Sequence, residues 1–284
     1  MKKFIGLTAA LVVAIVTVQY LRVAPTVPSP NSGGLRIVSL APNLTEIVFE
    51  LGAGEQLVGV TNYCTYPPEA QQKGKIGDFV NPNFEKIVSL EPDLVLAEQW
   101  TSSKTVPRLR QLRINVVETL SAKSLAEIYG VIRDIGSAVK SPERAQVLIQ
   151  EMQAQVRAIE ERGKLFSRRP TLYIEIDLPS WTVGQNSFIS QAVYLCGARN
   201  VFEDIEIPAL QVSKETVIER NPDIILSFAA TSQEIRQRPG WNQIRAVQNG
   251  KIIDDVNRDL LSHGNHRLVE GMKELQARLA EMID

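Results

Sequence analysis

The chain has 284 residues, of which 44% are apolar and 22% are charged, and this composition is typical of a folded protein with one or two domains. Its formal net charge is −1, and no stretch interleaves basic with aromatic residues, which argues against nucleic acid as a partner. The N-terminus differs from the rest, because "MKKF" is followed by the apolar run "IGLTAALVVAIVTV". A positively charged start and an apolar run of this length are typical of a signal peptide.

We therefore expect residues 1–34 to be a signal peptide, or an N-terminal anchor, followed by a linker rich in Pro, Ser and Gly. Either form predicts a protein exported to the periplasm or to the extracellular face of the membrane. The residues after the apolar run contain no clean small-x-small cleavage site, and no Cys precedes Cys64 to carry a lipid. Cleavage and anchoring are both open alternatives.

Strand and helix patterns alternate after the linker. "RIVSL" is a β-branched run typical of a strand, and "APNLTEIVFELGAG" has apolar residues at helical spacing before its glycines. "QLVGV" and "DLVLA" have the composition of further buried strands. Such alternation predicts the α/β class, with mainly parallel sheets and flanking helices.

A long helix is predicted in the middle of the chain. Strong helix formers dominate the residues between Ser141 and Lys164, with Ser141 at the N-cap and Pro142 at the first helical position. We expect residues 141–164 to be one helix that connects lobe 1, residues 35–140, to lobe 2, residues 165–284. The predicted fold is two Rossmann-like lobes joined by this helix.

One unit occurs twice in the chain. "FEKIVSLEPDLVLA" and "KETVIERNPDIILS" each have a Glu, then Pro-Asp seven residues later, then an apolar run of strand character. The glutamates are Glu85 and Glu215. Two related lobes explain the repeat, and chance similarity between two ordinary helix-turn-strand units is the alternative.

The sequence resembles the class III periplasmic substrate-binding proteins of ABC importers, the Fe/B12 periplasmic-binding domain family. The resemblance runs from about Arg36 nearly to the C-terminus. Four pieces carry it: "RIVSLAPNLTEIVFELG", "LVGVTNYCTYPPEA", "NPNFEKIVSLEPDLVLA" and "GQNSFISQAVYLCGARNVF". The family fold implied is two lobes bridged by one rigid helix, with the ligand in the cleft between them, which agrees with the layout predicted above.

The resemblance implies a receptor that is monomeric and delivers its cargo to an ABC importer, a permease with its ATPase. In the family the glutamates matching Glu85 and Glu215 contact arginine clusters on the permease, so we expect these two carboxylates to form the docking contacts with the permease. The alternative is that each only compensates a helix dipole. Rim ion pairs mainly orient and accelerate an encounter, which suits a receptor that must bind and leave.

Ligands of open α/β sheets bind at the carboxyl ends of the strands, so the loops there supply the candidate contacts. Aromatic faces there suit a large planar ligand with an apolar rim. The candidate ligand-binding residues are Pro42, Asn43, Tyr63, Trp100, Trp181, Asp259 and His263.

The resemblance is nearest to members that take up cobalamin, which makes cobalamin or a related corrinoid the expected cargo. Three departures weaken that assignment. Ala209 replaces an aromatic residue, Trp100 lies two residues later than its counterpart, and His263 stands in place of an Arg. A receptor for haem or a ferric siderophore is therefore the alternative.

His263 and His266 are three residues apart in a loop that contains Gly. Imidazole is a common metal ligand, but no carboxylate follows at a zinc-like spacing, so we expect solvated loop histidines and no metal site. Cys64 and Cys196, the two cysteines, are predicted in different lobes, and we expect free thiols. Cys64, beside Tyr63, is a candidate contact to the ligand or its metal.

The chain contains no GxSxG, HExxH or GxxxxGK[ST] motif, so we expect no enzymatic activity, no catalytic residue and no cofactor of its own. A membrane-tethered binding protein that is not used in transport is the remaining alternative.

Overall fold

Parallel β-sheets form the centre of each half of the chain, in a computed structural model that describes residues 34–99 and 102–283. The first sheet has the strand order β3-β2-β1-β4-β5, and every neighbouring pair is parallel. Its strands are β1 (Ile37–Ser39), β2 (Leu57–Val60), β3 (Gly74–Lys75), β4 (Leu94–Glu98) and β5 (Val116–Thr119).

The helices of the first half make the crossovers that parallel strands require. They are α1 (Pro42–Glu50), α2 (Phe84–Ser89) and α3 (Ser102–Gln111), and a fourth helix, α4 (Leu125–Ala138), follows the last strand of the sheet. The chain builds β2 and β3 on one side of β1 and then β4 and β5 on the other. The topological switch point, where ligands of open α/β sheets bind, therefore lies between the carboxyl ends of β1 and β4.

The second half repeats this arrangement with a four-stranded parallel sheet in the order β11-β10-β6-β8. A separate two-stranded sheet pairs β7, the strand that follows β6 in the chain, with β9 in the antiparallel direction. The strands are β6 (Thr171–Glu175), β7 (Trp181–Val183), β8 (Arg199–Asn200), β9 (Ala209–Gln211), β10 (Ile224–Ser227) and β11 (Ile252–Ile253). The predicted α/β class with mainly parallel sheets and flanking helices is confirmed.

The helix α5 (Pro142–Lys164) runs between the two sheets in the chain. The remaining helices are α6 (Phe188–Leu195), α7 (Lys214–Arg220), α8 (Ser232–Gln237), α9 (Arg245–Gln248), α10 (Arg258–Ser262) and α11 (Leu268–Ile283). One stripe of α5 is buried, and it packs against α4 and α11. The side-chain amide of Gln276 on α11 donates a hydrogen bond to the carbonyl oxygen of Ile159 at 2.7 Å, which connects α11 to the backbone of α5. Ser141 is the N-cap residue, but its hydroxyl makes no cap hydrogen bond, contrary to the role expected for it.

The repeated unit has the same local structure in both halves. Asp93 accepts a hydrogen bond from the backbone N–H of Arg36 at 2.8 Å, and Asp223 accepts one from that of Thr171 at 3.0 Å. Each Asp thus ties the start of its own strand to the neighbouring first strand of its sheet, β1 or β6. Burial alone would raise the pKa of Asp223, but the hydrogen bonds from Thr171 and the charge of Arg245 hold it below its ordinary value.

Candidate functional site

Two cavities, of about 690 Å³ and about 420 Å³, lie side by side at the carboxyl ends of the strands. Both are bordered by Ala122, Phe188, Arg258 and Ser262, so they form one continuous space, which we call the cleft. The larger cavity is bordered by residues of both halves of the chain. The cleft therefore lies where the switch-point rule places a ligand.

Lobe 1 supplies the first wall of the cleft. Pro42 and Asn43 are the first residues of α1, directly after β1, and both border the larger cavity. Tyr63 borders it too, with 55% of its surface exposed. Its ring lies 5.3 Å from that of Phe79 at an interplanar angle of 52°. Exposed Tyr63 and half-buried Phe79 thus form an aromatic surface that can pack against a large apolar ligand.

Lobe 2 supplies the second wall of the cleft. Trp181, at the start of β7, borders the smaller cavity and is 39% exposed. Ala209, at the start of β9, borders the same cavity, so the position that lacks an aromatic residue does face the cleft. Half-buried Phe188 lies at the junction of the two cavities. Trp100 lies outside the described residues.

Asp259 and His263 of the α10 segment border the larger cavity, and His263 is fixed from behind by a carboxylate of lobe 1. Glu46 of α1 is buried and accepts hydrogen bonds from three side chains of the segment after α10. The donors are Nδ1 of His263 at 2.8 Å, Nδ2 of Asn265 at 2.9 Å and Nη1 of Arg267 at 3.2 Å. We call this set the Glu46 cluster.

The Glu46 cluster holds its carboxylate ionised. Burial alone would raise the pKa of Glu46, but the hydrogen bond and charge of His263, with Asn265 and Arg267, hold that pKa below its ordinary value. Arg267 also stacks on the ring of Tyr66, with its guanidinium carbon 3.5 Å from the ring centre.

A second ion pair lies one helical turn along α1. Glu50 lies 2.7 Å from Nη2 of Arg144 on α5 and 3.6 Å from Nε2 of His266. Burial lowers the pKa of His266, against the opposing charges of Glu50 and Glu46. The expectation of solvated loop histidines is therefore wrong, because the side chains of His263 and His266 are only 21% and 11% exposed.

The cysteines are free thiols, as expected, and both are buried. The suggestion that Cys64 contacts the ligand is not supported. Its side chain is fully buried, its sulfur contacts the hydroxyls of Thr45 and Thr61 at 3.1 Å, and it does not border either cavity of the cleft. Tyr63 and Thr65, on either side of it, face the cleft instead.

Glu85 and Glu215 occupy matching exposed positions, each the second residue of a short helix. Each helix has a side-chain cap: Asn83 accepts from the backbone of Lys86 at 2.9 Å, and Ser213 accepts from that of Thr216 at 3.1 Å. The caps fix the first turns, and so the places from which the two carboxylates extend.

Many residues that border the cleft were missed from the sequence, among them Phe79, Phe188 and Arg258. Phe188 and Arg258 each begin a helix directly after a loop, and that position in an α/β fold was the signal available. Among the described residues, no group of three His, Cys, Asp or Glu side chains can hold a metal ion. Over the same residues, no helix has both the length and the apolar character needed to span a membrane.

The sequence is similar to those of a known family and of several known proteins. Residues 37–258 match the family model described as periplasmic binding protein. The chain is 34% identical over 248 residues to YvrC of Bacillus subtilis (strain 168), an ABC transporter substrate-binding lipoprotein, covering 84% of this chain and 78% of that protein. It is 30% identical over 253 residues to the vitamin B12-binding protein of Pectobacterium atrosepticum, and the match covers 87% of this chain and 89% of that protein.

Among solved structures, the fold is similar to that of RhuT from Roseiflexus sp. RS-1, described as a periplasmic heme-binding protein in apo form. The TM-score is 0.79 and the sequence identity is 25%, over 89% of this chain and 100% of that one.

Proposed function

The chain belongs to the periplasmic binding protein family, and we propose that its cargo is cobalamin or a related corrinoid. It is a substrate-binding receptor of an ABC transporter, so a permease and an ATPase are its partners. The family serves transport, and the role of such a receptor is to bind its cargo and deliver it to the permease.

One observation carries the proposal for the cargo: both lobes bring aromatic rings to the cleft, with exposed Tyr63 and half-buried Phe79 at the larger cavity and exposed Trp181 at the smaller one. A large, flat chelate with an apolar rim buries much surface against such rings, and rigid rings lose little entropy on binding. The likeness to a vitamin B12-binding protein over most of its length supports a corrinoid.

Each candidate residue has a proposed role in holding this cargo. Tyr63 and Trp181 pack on its faces, while Pro42 and Asn43 shape the floor at the end of β1. Asp259 and His263 supply polar contacts at its edge. Trp100 joins them on the strength of the family resemblance alone.

Haem is the second candidate cargo. The likeness to a periplasmic heme-binding protein favours it, and so does His263, whose imidazole borders the cleft at a position where the family resemblance implies an Arg in corrinoid receptors. A ferric siderophore would use the same cleft, and a tethered binding protein with no part in transport is the remaining alternative.

Delivery is proposed to use Glu85 and Glu215 as the contacts to the permease. Their exposure, their matching places in the two halves and the side-chain caps of their helices support this role. We propose that the receptor acts as a monomer at the outer face of the membrane, held there or released according to the fate of its N-terminal segment. The name of one relative, a lipoprotein, fits a tethered receptor.

Calorimetric titration of the full chain, purified in mild detergent, with cyanocobalamin tests the proposal, and haem and a ferric siderophore serve as comparators. Saturable binding of cyanocobalamin in the micromolar range or tighter supports the corrinoid assignment. Binding of a comparator alone moves the cargo to an iron chelate and leaves the receptor role in place. Heat signals no larger than dilution with all three overturn the proposed cargo class.

A further inference from the structure

Arg258 borders both cavities of the cleft and a third cavity next to it. It borders the larger cavity, the smaller cavity and a third one of about 380 Å³ beside the carboxyl end of β10. Its side chain is exposed and, within the described part of the chain, it has no hydrogen bond and no ion pair. An Arg guanidinium is always charged and carries five donors in a rigid fork.

The acidic groups around Arg258 are engaged elsewhere. Asp177 accepts from the backbone N–H of Leu178 at 2.9 Å, and Asp254 accepts from that of Ser232 at 2.5 Å. Glu234 forms a capping box with Thr231, and Asp259 lies 3.4 Å from Nε2 of His263. Glu98, at the larger cavity, also has an interaction of its own, and within the described part of the chain none of these five carboxylates forms an ion pair with Arg258.

Lys123 is a second cation at the smaller cavity. It is exposed, and its ammonium group has no partner among the residues that the structure describes. The charged side chains that border this cavity are Lys123, Arg258 and Asp177, so two positive charges face one negative charge. We call Lys123 and Arg258 the cationic corner.

We infer that the cationic corner binds an anionic group of the cargo, a carboxylate or a phosphate. The inference rests on the proposed function, because it assigns a chemical class to the cargo of that same cleft. The guanidinium of Arg258 pairs with two oxygens of the anion, and the ammonium of Lys123 adds a point charge. The aromatic walls at Tyr63, Phe79 and Trp181 take the apolar body of the same molecule.

The cargo is therefore an amphipathic chelate with a flat apolar body and an acidic arm. Two sources of the anion fit this class. Cyanocobalamin carries a phosphodiester in its nucleotide loop, which dicyanocobinamide lacks. Haem carries two propionate carboxylates, which are neutral in haem dimethyl ester. Each pair of ligands differs in the acidic arm and shares the macrocycle.

The test measures the affinity of the full chain in detergent for all four ligands, with the native protein and with Arg258→Gln. The dissociation constant of Arg258→Gln for the acidic member of one pair should rise about tenfold, which corresponds to one lost charge-assisted hydrogen bond. Its affinity for the uncharged member should change less than about twofold, since additivity holds where no contact is shared. The pair that shows the effect identifies phosphate or carboxylate as the group bound.

Two further variants test whether a change in affinity comes from the charge of Arg258 or from a disturbed fold. Arg258→Lys keeps the charge and loses the fork, so it should recover only part of the affinity. Arg162→Gln on α5 removes an exposed guanidinium, also without a partner in the described structure, and should bind all four ligands like the native protein. Thermal melting of each variant checks that the fold is kept.

Two results overturn the inference. In the first, Arg258→Gln binds the acidic and the uncharged member of each pair with unchanged affinity, or its affinity falls equally for both. The cationic corner then does not bind an anionic group of the cargo, while the proposed function stands. If the native protein binds none of the four ligands, the proposed cargo class fails and the inference fails with it.

Discussion

Nδ1 of His263 lies 2.8 Å from Oε1 of Glu46, and this hydrogen bond joins residues 217 positions apart in the chain. It links the wall of the cleft to the first helix of lobe 1. Because Glu46 also accepts from Asn265 and Arg267, the loss of one carboxylate removes three contacts between the two lobes.

Glu46→Gln should lower the free energy of unfolding by about 3 kcal/mol, the lower end of the range for breaking a buried ion pair. The lower end applies because Arg267 keeps Glu270, 3.7 Å away, and the ring of Tyr66. Urea denaturation followed by fluorescence measures the change. Glu151→Gln on the exposed face of α5 is the control and should shift stability by less than about 0.5 kcal/mol. An equal effect of both variants would contradict a role for the cluster.

The contribution of Glu46 should depend on pH. Its pKa in the folded protein lies below its ordinary value, which is regained on unfolding, so the carboxylate stabilises the fold fully above about pH 4.3. This contribution is lost as the pH falls through the lower, folded-state pKa. The stability difference between the native protein and Glu46→Gln should therefore narrow from pH 7 to pH 3 in urea titrations. A difference that stays constant would show that Glu46 does not titrate differently in the two states.

Tyr63→Ala and Trp181→Ala should each raise the dissociation constant for the cargo about tenfold or more, because each removes an exposed ring from one wall of the cleft. Tyr194→Ala is a matched control, since Tyr194 is 50% exposed on α6 and borders neither cavity of the cleft. Calorimetry with the cargo found for the native protein gives the three constants. If Tyr194→Ala weakens binding as much as Tyr63→Ala, the aromatic walls are not the contact surface.

Glu85→Arg and Glu215→Arg should slow delivery without changing the affinity for cargo. Charge reversal at a rim contact mainly lowers the association rate, and the loss should shrink as salt screens the charges. We expect a fall of about tenfold for the double variant in the association rate with the transporter in proteoliposomes. Glu151→Arg reverses an exposed charge on α5 and should leave the rate unchanged. Retained delivery by the double variant would remove the docking role.

Native protein should react slowly with thiol reagents at pH 7. Burial raises the pKa of the thiols of both Cys64 and Cys196, so little thiolate forms, and neither sulfur is exposed. A chromogenic disulfide reagent should label neither Cys before denaturant is added and both afterwards. Rapid labelling of one thiol in the native protein would show that its pocket opens readily.

The sequence pattern predicted the fold class because its signals are local. Pro-Asp after a short helix predicts where a strand begins, and Asp93 and Asp223 do bond the neighbouring strand there. Tyr63 and Trp181 were placed in the loops that form the walls, since the order of strands and helices fixes which loops lie at the carboxyl ends.

The environment of the histidines could not be predicted, because the partner of His263 lies on a helix at the other end of the sequence. A Gly-containing loop with two histidines has the same local pattern whether it is solvated or packed under α1. Cys64 was misplaced for a related reason, since neighbouring residues of an irregular loop point in different directions and no periodicity reports which one is buried. The local signal for Arg258, its place at the start of a helix after a loop, is shared by many residues of an α/β fold, and its importance appears only from the cavities that it borders.

The connecting helix α5, 23 residues and about 34 Å long, also constrains how receptors would compete for the transporter. A continuous helix packed along one stripe bends little, so we expect Glu85 and Glu215 to keep nearly the same separation whether the cleft is empty or full. If these two carboxylates dock as proposed, empty and loaded receptors would present the same contact surface to the permease. When cargo is scarce, surplus empty receptors would occupy the permease and slow import, so the cell gains by keeping receptor numbers matched to supply.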